Sequence, residues 1–230
     1  MVAIGTYYEN IDFMGKDIIL RSSDPDNHSI VVRTIIDGGG KLDSVVKFIH
    51  GETKEAVLRG FTIHGGVYEL GGGILIMGSS PTIEKNIVTG NVATIGGGIF
   101  AGSSSSPTIS ENTITGNSAG AGGGILVHGN SLATISGNTI TENTAAAEEG
   151  GGILVAESSS AVISGNTITG NTAKGKGGGI FVTLDSSVYS GGAPWNRVNY
   201  PPTAPPGNNV FSGNTHQNGQ ASNGCHVYFE

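Results

Sequence analysis

The sequence predicts an all-β solenoid: a right-handed, single-stranded parallel β-helix with a three-sided cross-section. Two observations predict the solenoid. Gly-Gly-Gly-Ile occurs five times, ending at Ile74, Ile99, Ile125, Ile153 and Ile180, with steps of 25, 26, 28 and 27 residues. After each of the first four copies come two blocks ending in Asn, such as Thr108-Ile109-Ser110-Glu111-Asn112 and Thr113-Ile114-Thr115-Gly116-Asn117. No segment between the Gly, Asn and Ser turns has room for a helix of ~10 residues, and β-branched residues dominate. A unit this small cannot bury its own apolar side, so successive units must stack. Handedness follows from the preference of parallel crossovers.

The elements follow in order. Residues 1–66 read as irregular first coils, with strand-like Gly5–Ile11, Lys16–Ser22 and Thr34–Gly38, and Leu58–Gly66 entering the repeat frame. Residues 67–183 are the regular coils, 184–208 an inserted loop, and 209–230 the last coil, where Asn209–Asn214 partly repeats the Asn blocks. At ~26 residues per coil, one domain of 230 residues makes about eight to nine coils. Alternation places Ile74 and Ile76, with their equivalents in later copies, inside the coil. The Ile83, Ile109, Ile135, Ile163 column and the Val88, Ile114, Ile140, Ile168 column also point inward.

The turn columns carry mechanical readings. Asn86, Asn112, Asn138 and Asn166 share one turn, and Asn91, Asn117, Asn143 and Asn171 another. Asn tolerates the left-handed backbone of a sharp corner, and its amide can bond the amide one coil on. The Gly triplets mark a tight bend and lack the G-x-G-x-x-G or Lys-Ser/Thr context of a phosphate loop. Between the inward residues of the Gly-Gly-Gly-Ile strands stand Leu75, Phe100, Leu126, Leu154 and Phe181. They face outward, and such a strip is expected to be covered by the long loop, another domain or a second copy. Thr113, Thr115, Thr139, Thr141, Thr167 and Thr169 make two outward Thr columns.

Composition narrows function. A net charge of −7 argues against nucleic-acid binding, and no apolar run approaches the ~20 residues of a membrane helix. Cys225 is alone, so no intrachain disulfide forms. Residues 1–30 show no signal peptide, which suggests a domain of a longer chain with further domains as neighbours.

On these motifs the chain resembles right-handed parallel β-helix proteins of the pectate-lyase-like superfamily, in its NosD-like branch of parallel β-helix repeats. The Gly-Gly-Gly-Ile and Ile-x-x-Asn pattern is also similar to repeats of polymorphic outer-membrane proteins and autotransporter adhesins, with Phe211-Ser212-Gly213-Asn214 the literal form. This resemblance implies the fold. It leaves open polysaccharide lyases, hydrolases, epimerases, adhesins and scaffolds.

Enzymes of this resemblance cluster carboxylates from neighbouring coils. Here Glu84 stands next to Arg59, and Glu111 next to Lys85, which reads as cross-coil ion pairing. Glu148 and Glu149 face a turn carrying Lys174 and Lys176. Asp24-Pro25-Asp26-Asn27-His28 reads as a turn. No cofactor is implied, with weak calcium binding at these acidic turns the one alternative. The six His residues lack metal spacing, and the Ser runs lack a nucleophile elbow.

The sequence therefore suggests a non-catalytic extracellular or cell-surface module, contacting a polysaccharide or a surface protein. The alternatives are a carbohydrate-active lyase, hydrolase or epimerase, and ice binding through the Thr columns. The candidate ligand residues are Tyr189, Trp195, Arg197 and Tyr200 in the inserted loop. Aromatic faces suit a sugar or partner there, and an Arg fork suits a carboxylate. The same loop could instead lie as a lid over Phe181.

Overall fold

A computed structural model describes residues 1–190, 193–195, 208–216 and 227–229. Successive coils pair in parallel, one rung above the next, through four sheets. The first sheet holds the strands after the Gly triplets, such as Ile99–Gly102. The second holds Thr108–Ser110 and the third Thr113–Thr115, each with its equivalents in other coils. The first three sheets are each eight strands deep. The class is as expected, with a different cross-section: a fourth, six-stranded sheet runs through Val92–Ile95, Ser118–Ala121, Thr144–Ala145 and Thr172–Ala173.

The solenoid makes about seven turns, fewer than the eight to nine expected. Two detours consume chain without adding rungs. One holds the short helix His28–Val31, capped by the Asn27 side chain. The other lies between Asn166 and Asn209, which are consecutive in one ladder although 43 residues apart. The inserted segment also starts later than the sequence suggests. Ser187–Ser190 still pairs in parallel with Ser160–Val162, and only then does Ala193–Trp195 fold back antiparallel on it.

The inward columns are in register and fully buried. Ile83 pairs with Ile109, then Ile135 and Ile163; Val88 with Ile114, Ile140 and Ile168. Each of these side chains is 0% exposed, and together with the inward residues of the first sheet they form one core.

The Asn columns are continuous buried ladders. Asn112 Nδ2 donates to Asn138 Oδ1 at 3.0 Å, and the Asn112 backbone N–H to the same oxygen at 2.9 Å. The second ladder repeats this, with Asn117 Nδ2 at 3.0 Å from Asn143 Oδ1. Asn209 and Asn214 continue the two ladders into the last coil. The left-handed corner residue is not the Asn. It is the residue before it: Lys85, Glu111, Gly137 and Gly165 in the first column, and Gly90, Gly116, Glu142 and Gly170 in the second. The Asn side chain is thereby turned inward, where its amide meets the main-chain groups that the corner leaves without a sheet partner.

The Gly triplets do more than bend. A Cβ on Gly97 would lie 2.6 Å from the carbonyl oxygens of Ser118 and Gly123 in the next coil, so the coils close up only if both faces are bare. A third ladder escaped sequence reading. The backbone N–H of Ser79 donates to Ser105 Oγ, Ser105 to Ser131, and Ser131 to Ser159, at 3.1–3.3 Å.

Glu52 ends this Ser ladder. It is 2% exposed and accepts from Ser79 Oγ at 2.8 Å, Gly15 N at 2.9 Å and His50 N at 3.0 Å. Burial alone raises its pKa, but these donors outweigh burial and hold it below the ordinary value. Its contribution is therefore complete above the unfolded pKa, near ~4.3, and is lost as pH falls through the lower folded value. Glu52→Gln is expected to be less stable than wild type at pH 7. The gap should close on acidification in thermal melts; a gap unchanged with pH would contradict this.

Candidate functional site

The outer face of the first sheet carries the candidate site. Strand alternation puts Leu75, Phe100, Leu126, Leu154 and Phe181 on this face, and the register stacks them rung on rung. They are only 1–7% exposed and belong to a hydrophobic cluster separate from the inner core. The residues that flank the row within each coil thus largely cover the strip, where the long loop, another domain or a second copy was expected to do so. The reason is the tight Gly bend. It lifts the residues just before the triplets, Leu70, Ile95 and Ala121, into one wall along the row. Met77, the last residue of its strand, and Ala156, just past the end of its own, supply the opposite wall.

The result is a groove with a recessed apolar floor. Toward Phe181 it opens into a cavity of about 220 Å³ over Leu126, Leu154 and Phe181. Glu148 and Glu149 line one side, and His128, Glu157 and Thr183 the other. His128 Nε2 lies 3.2 Å from Glu157 Oε1, and its ring sits 5.7 Å from that of Phe100. Beyond Phe181 the row continues in Tyr228, whose ring stacks on Phe181 at 5.3 Å, with Lys176 Nζ 4.5 Å from the Tyr228 centroid. At the other end the outward positions turn polar: Asp12 pairs with Lys47, and Lys47 with Leu75. The Lys47 ammonium binds Asp43 at 2.8 Å.

The expected carboxylate–base pairs form and join into one network. Arg59 meets Glu84 at 3.2 Å and Asp26 at 3.6 Å. Lys85 bonds Asp26 and stands 3.7 Å from Glu111. The Lys85 hydrogen bond lowers the pKa of Asp26, and the same bond raises that of Lys85. Asp24 Oδ1 accepts from the Asp26 backbone, so Asp24–His28 is a turn leading into the short helix. This turn is stapled across the corner, beside a pocket of about 260 Å³ lined by Pro25, His28, Val31 and Ile87 among others. A Lys held protonated by carboxylates is a poor general base.

Two of the four loop candidates lie among the described residues. Tyr189 is half-buried in Ser187–Ser190 of the second sheet, and the Trp195 backbone pairs with Val188 at the edge of that sheet. Arg197 and Tyr200 lie outside the described residues. The stacking partner of Phe181 among the described residues is Tyr228. The Thr columns are in register on the third sheet, where Thr169 Oγ1 donates to Thr141 Oγ1 at 3.3 Å. No helix is long and apolar enough to cross a membrane among the described residues.

Compared with known proteins, residues 34–192, more than half of the chain, match the family model described as right handed beta helix region. No curated protein and no solved structure matches.

Proposed function

The chain belongs to the right-handed β-helix family, and from that premise we propose a non-catalytic contact module, displayed outside the cell or on its surface. It holds a carbohydrate chain along the walled groove of the first sheet. The observation that carries this reading is the recessed row from Leu75 to Phe181, continuous over five rungs and opening beside carboxylates. Four steps at ~4.8 Å make it roughly 19 Å long, enough for several sugar units. Sugar rings have apolar faces that suit such a floor and hydroxyls that donate to carboxylates at its rim. A non-catalytic role is supported by the pairing of Asp26, Glu84 and Glu111 with Arg59 and Lys85. Surface display rests on the similarity of the repeats to those of adhesins.

The test fills the groove. Ala156 is 9% exposed and lines the cavity, so Ala156→Trp sends an indole into its mouth. Retention on an immobilised-polysaccharide panel should fall at least ~10-fold, with the melting temperature within a few degrees of wild type. Unchanged retention would refute the groove. Loss of retention in Trp195→Ala with Tyr200→Ala, and not in Ala156→Trp, would move the site to the inserted segment. Release of unsaturated products from pectate or alginate, abolished by a carboxylate substitution, would replace the contact role with an enzymatic one.

A further inference from the structure

We infer that Asn27 is a modification site, where a saccharide is joined to the side-chain amide nitrogen. The inference rests on the surface-display reading above, since the chain must meet a transferase outside the cytosol, and it makes no use of the groove. Asn27-His28-Ser29 has the acceptor pattern for such a linkage: Asn, any residue but Pro, then Ser or Thr. The chain holds 18 Asn and is rich in Ser and Thr, yet no other Asn has a hydroxyl residue two places on. At the ladder positions the hydroxyl comes one place after the Asn, as in Asn112-Thr113-Ile114 and Asn138-Thr139-Ile140. Those amides are buried and bonded into the ladder, so a saccharide on one of them would break the fold. The acceptor pattern is thus absent from the amides that the ladders need and present on one that is free.

Asn27 stands on the detour that leaves the solenoid, just ahead of the short helix His28–Val31. Asp26, Asn27, His28 and Ser29 are all exposed. Asn27 Oδ1 accepts from the Ser29 backbone N–H at 3.1 Å and from Ser29 Oγ at 3.0 Å. Nδ2, the atom to be joined, has no hydrogen-bond partner among the described residues. The linkage leaves Oδ1 in place, so the helix cap survives it. Asp26 is tied to Lys85 and Arg59, which holds this turn out on the surface. Asp26 and His28 border the pocket of about 260 Å³, so a ring on Asn27 has open space beside it. The donor is a saccharide bound through its C1 to a lipid-linked diphosphate. Nδ2 attacks C1, and the new N–C1 bond replaces the C1–O bond to the diphosphate. The diphosphate leaves with its lipid and takes up the proton that Nδ2 gives up, with no change of oxidation state.

The experiment isolates the protein from the cells that make it and reads the mass of the proteolytic peptide spanning Asn27. The expected result is an added saccharide mass, placed on Asn27 by fragmentation. Ser29→Ala should give the unmodified peptide, and Ser29→Thr, which keeps the hydroxyl, should give the modified one. Ser29 is exposed, so the melting temperatures of both variants should stay near that of wild type, which separates lost recognition from lost folding. A bare Asn27 in wild type overturns the inference, as does a saccharide kept in Ser29→Ala or lost in Ser29→Thr. A protease that cannot enter intact cells tests the display reading separately. Protein cut at the cell surface yet bare at Asn27 overturns the modification site alone. Protein shielded from the protease and bare overturns both readings, and protein shielded yet modified supports the site and overturns surface display.

Discussion

Ile140→Asp is expected to unfold the central coils. Ile140 is 0% exposed, midway in a column between Ile114 and Ile168, with no polar partner among the core residues around it. A carboxylate there must be buried charged or protonated without a partner, and either costs several kcal/mol, at least ~4. Stability in a stacked repeat is a sum of coil and neighbour terms, so the damage should spread from the altered rung. Two controls fix the register. Ile140→Val should cost only about 1 kcal/mol. Thr139→Asp, one residue away and exposed, should stay within about 1 kcal/mol. Hydrogen exchange resolved by segment checks the pattern; an intact exchange profile in Ile140→Asp would mean that the column does not face the core.

The second large effect comes from the ladder. Asn138 Nδ2 donates to Ile109 O at 2.9 Å, Ser136 O at 3.2 Å and Asn166 Oδ1 at 3.0 Å. Its Oδ1 receives both the backbone and side-chain N–H of Asn112. Asn138→Ala leaves the Asn112 backbone donor and the Ile109 carbonyl buried with no partner from this position. At ~1–3 kcal/mol per orphaned group, a loss of about 3–5 kcal/mol is expected. Asn138→Asp should do no better, because it keeps the acceptor but loses the donor and buries a charge. Denaturant melts of the two variants decide this; a loss below about 1 kcal/mol in Asn138→Ala would show that the ladder is not structural.

What the sequence made legible was whatever repeated in side-chain type. The Ile columns recur at the coil period, and so do the Asn pairs, so both the core and the ladder partners could be read. The fourth sheet could not. Its strands, Val92–Ile95, Ser118–Ala121, Thr144–Ala145 and Thr172–Ala173, share only one repeating residue, the Ala two places after the second Asn (Ala93, Ala119, Ala145 and Ala173), and the shortest are two residues long, too short to show alternation. The left-handed corner residue was misassigned to Asn because Lys85, Glu111 and Glu142 occupy a position where Gly is expected. Their strain is about 1–2 kcal/mol each, offset by the ladder bonds that the corner makes possible. The Ser ladder had a signal, since Ser79, Ser105, Ser131 and Ser159 recur at steps of 26, 26 and 28 residues. The adjacent Ser runs hid it.

The site was half legible. Alternation identified the outward row of Leu75, Phe100, Leu126, Leu154 and Phe181. Its walls were invisible, because they come from non-repeating residues at the strand ends: Leu70, Ile95 and Ala121 on one side, Met77 and Ala156 on the other. The height of those walls depends on how tightly the Gly bend closes, which is set by backbone contact between coils and not by any one residue type. A strip that looked bare in one dimension is therefore a groove in three.

The central claim is that this groove is a contact surface and not merely a second core. Leucine-methyl NMR with a soluble fragment of the polysaccharide that retains the protein tests it most directly, because leucines mark both the groove and the faces that should stay silent. The methyls of Leu75, Leu126 and Leu154 are expected to shift on titration. Those of Leu132 and Leu184, exposed elsewhere on the molecule, should not. Shifts confined to Leu184, outside the groove, or saturable binding that leaves Leu126 and Leu154 unmoved, would contradict the account.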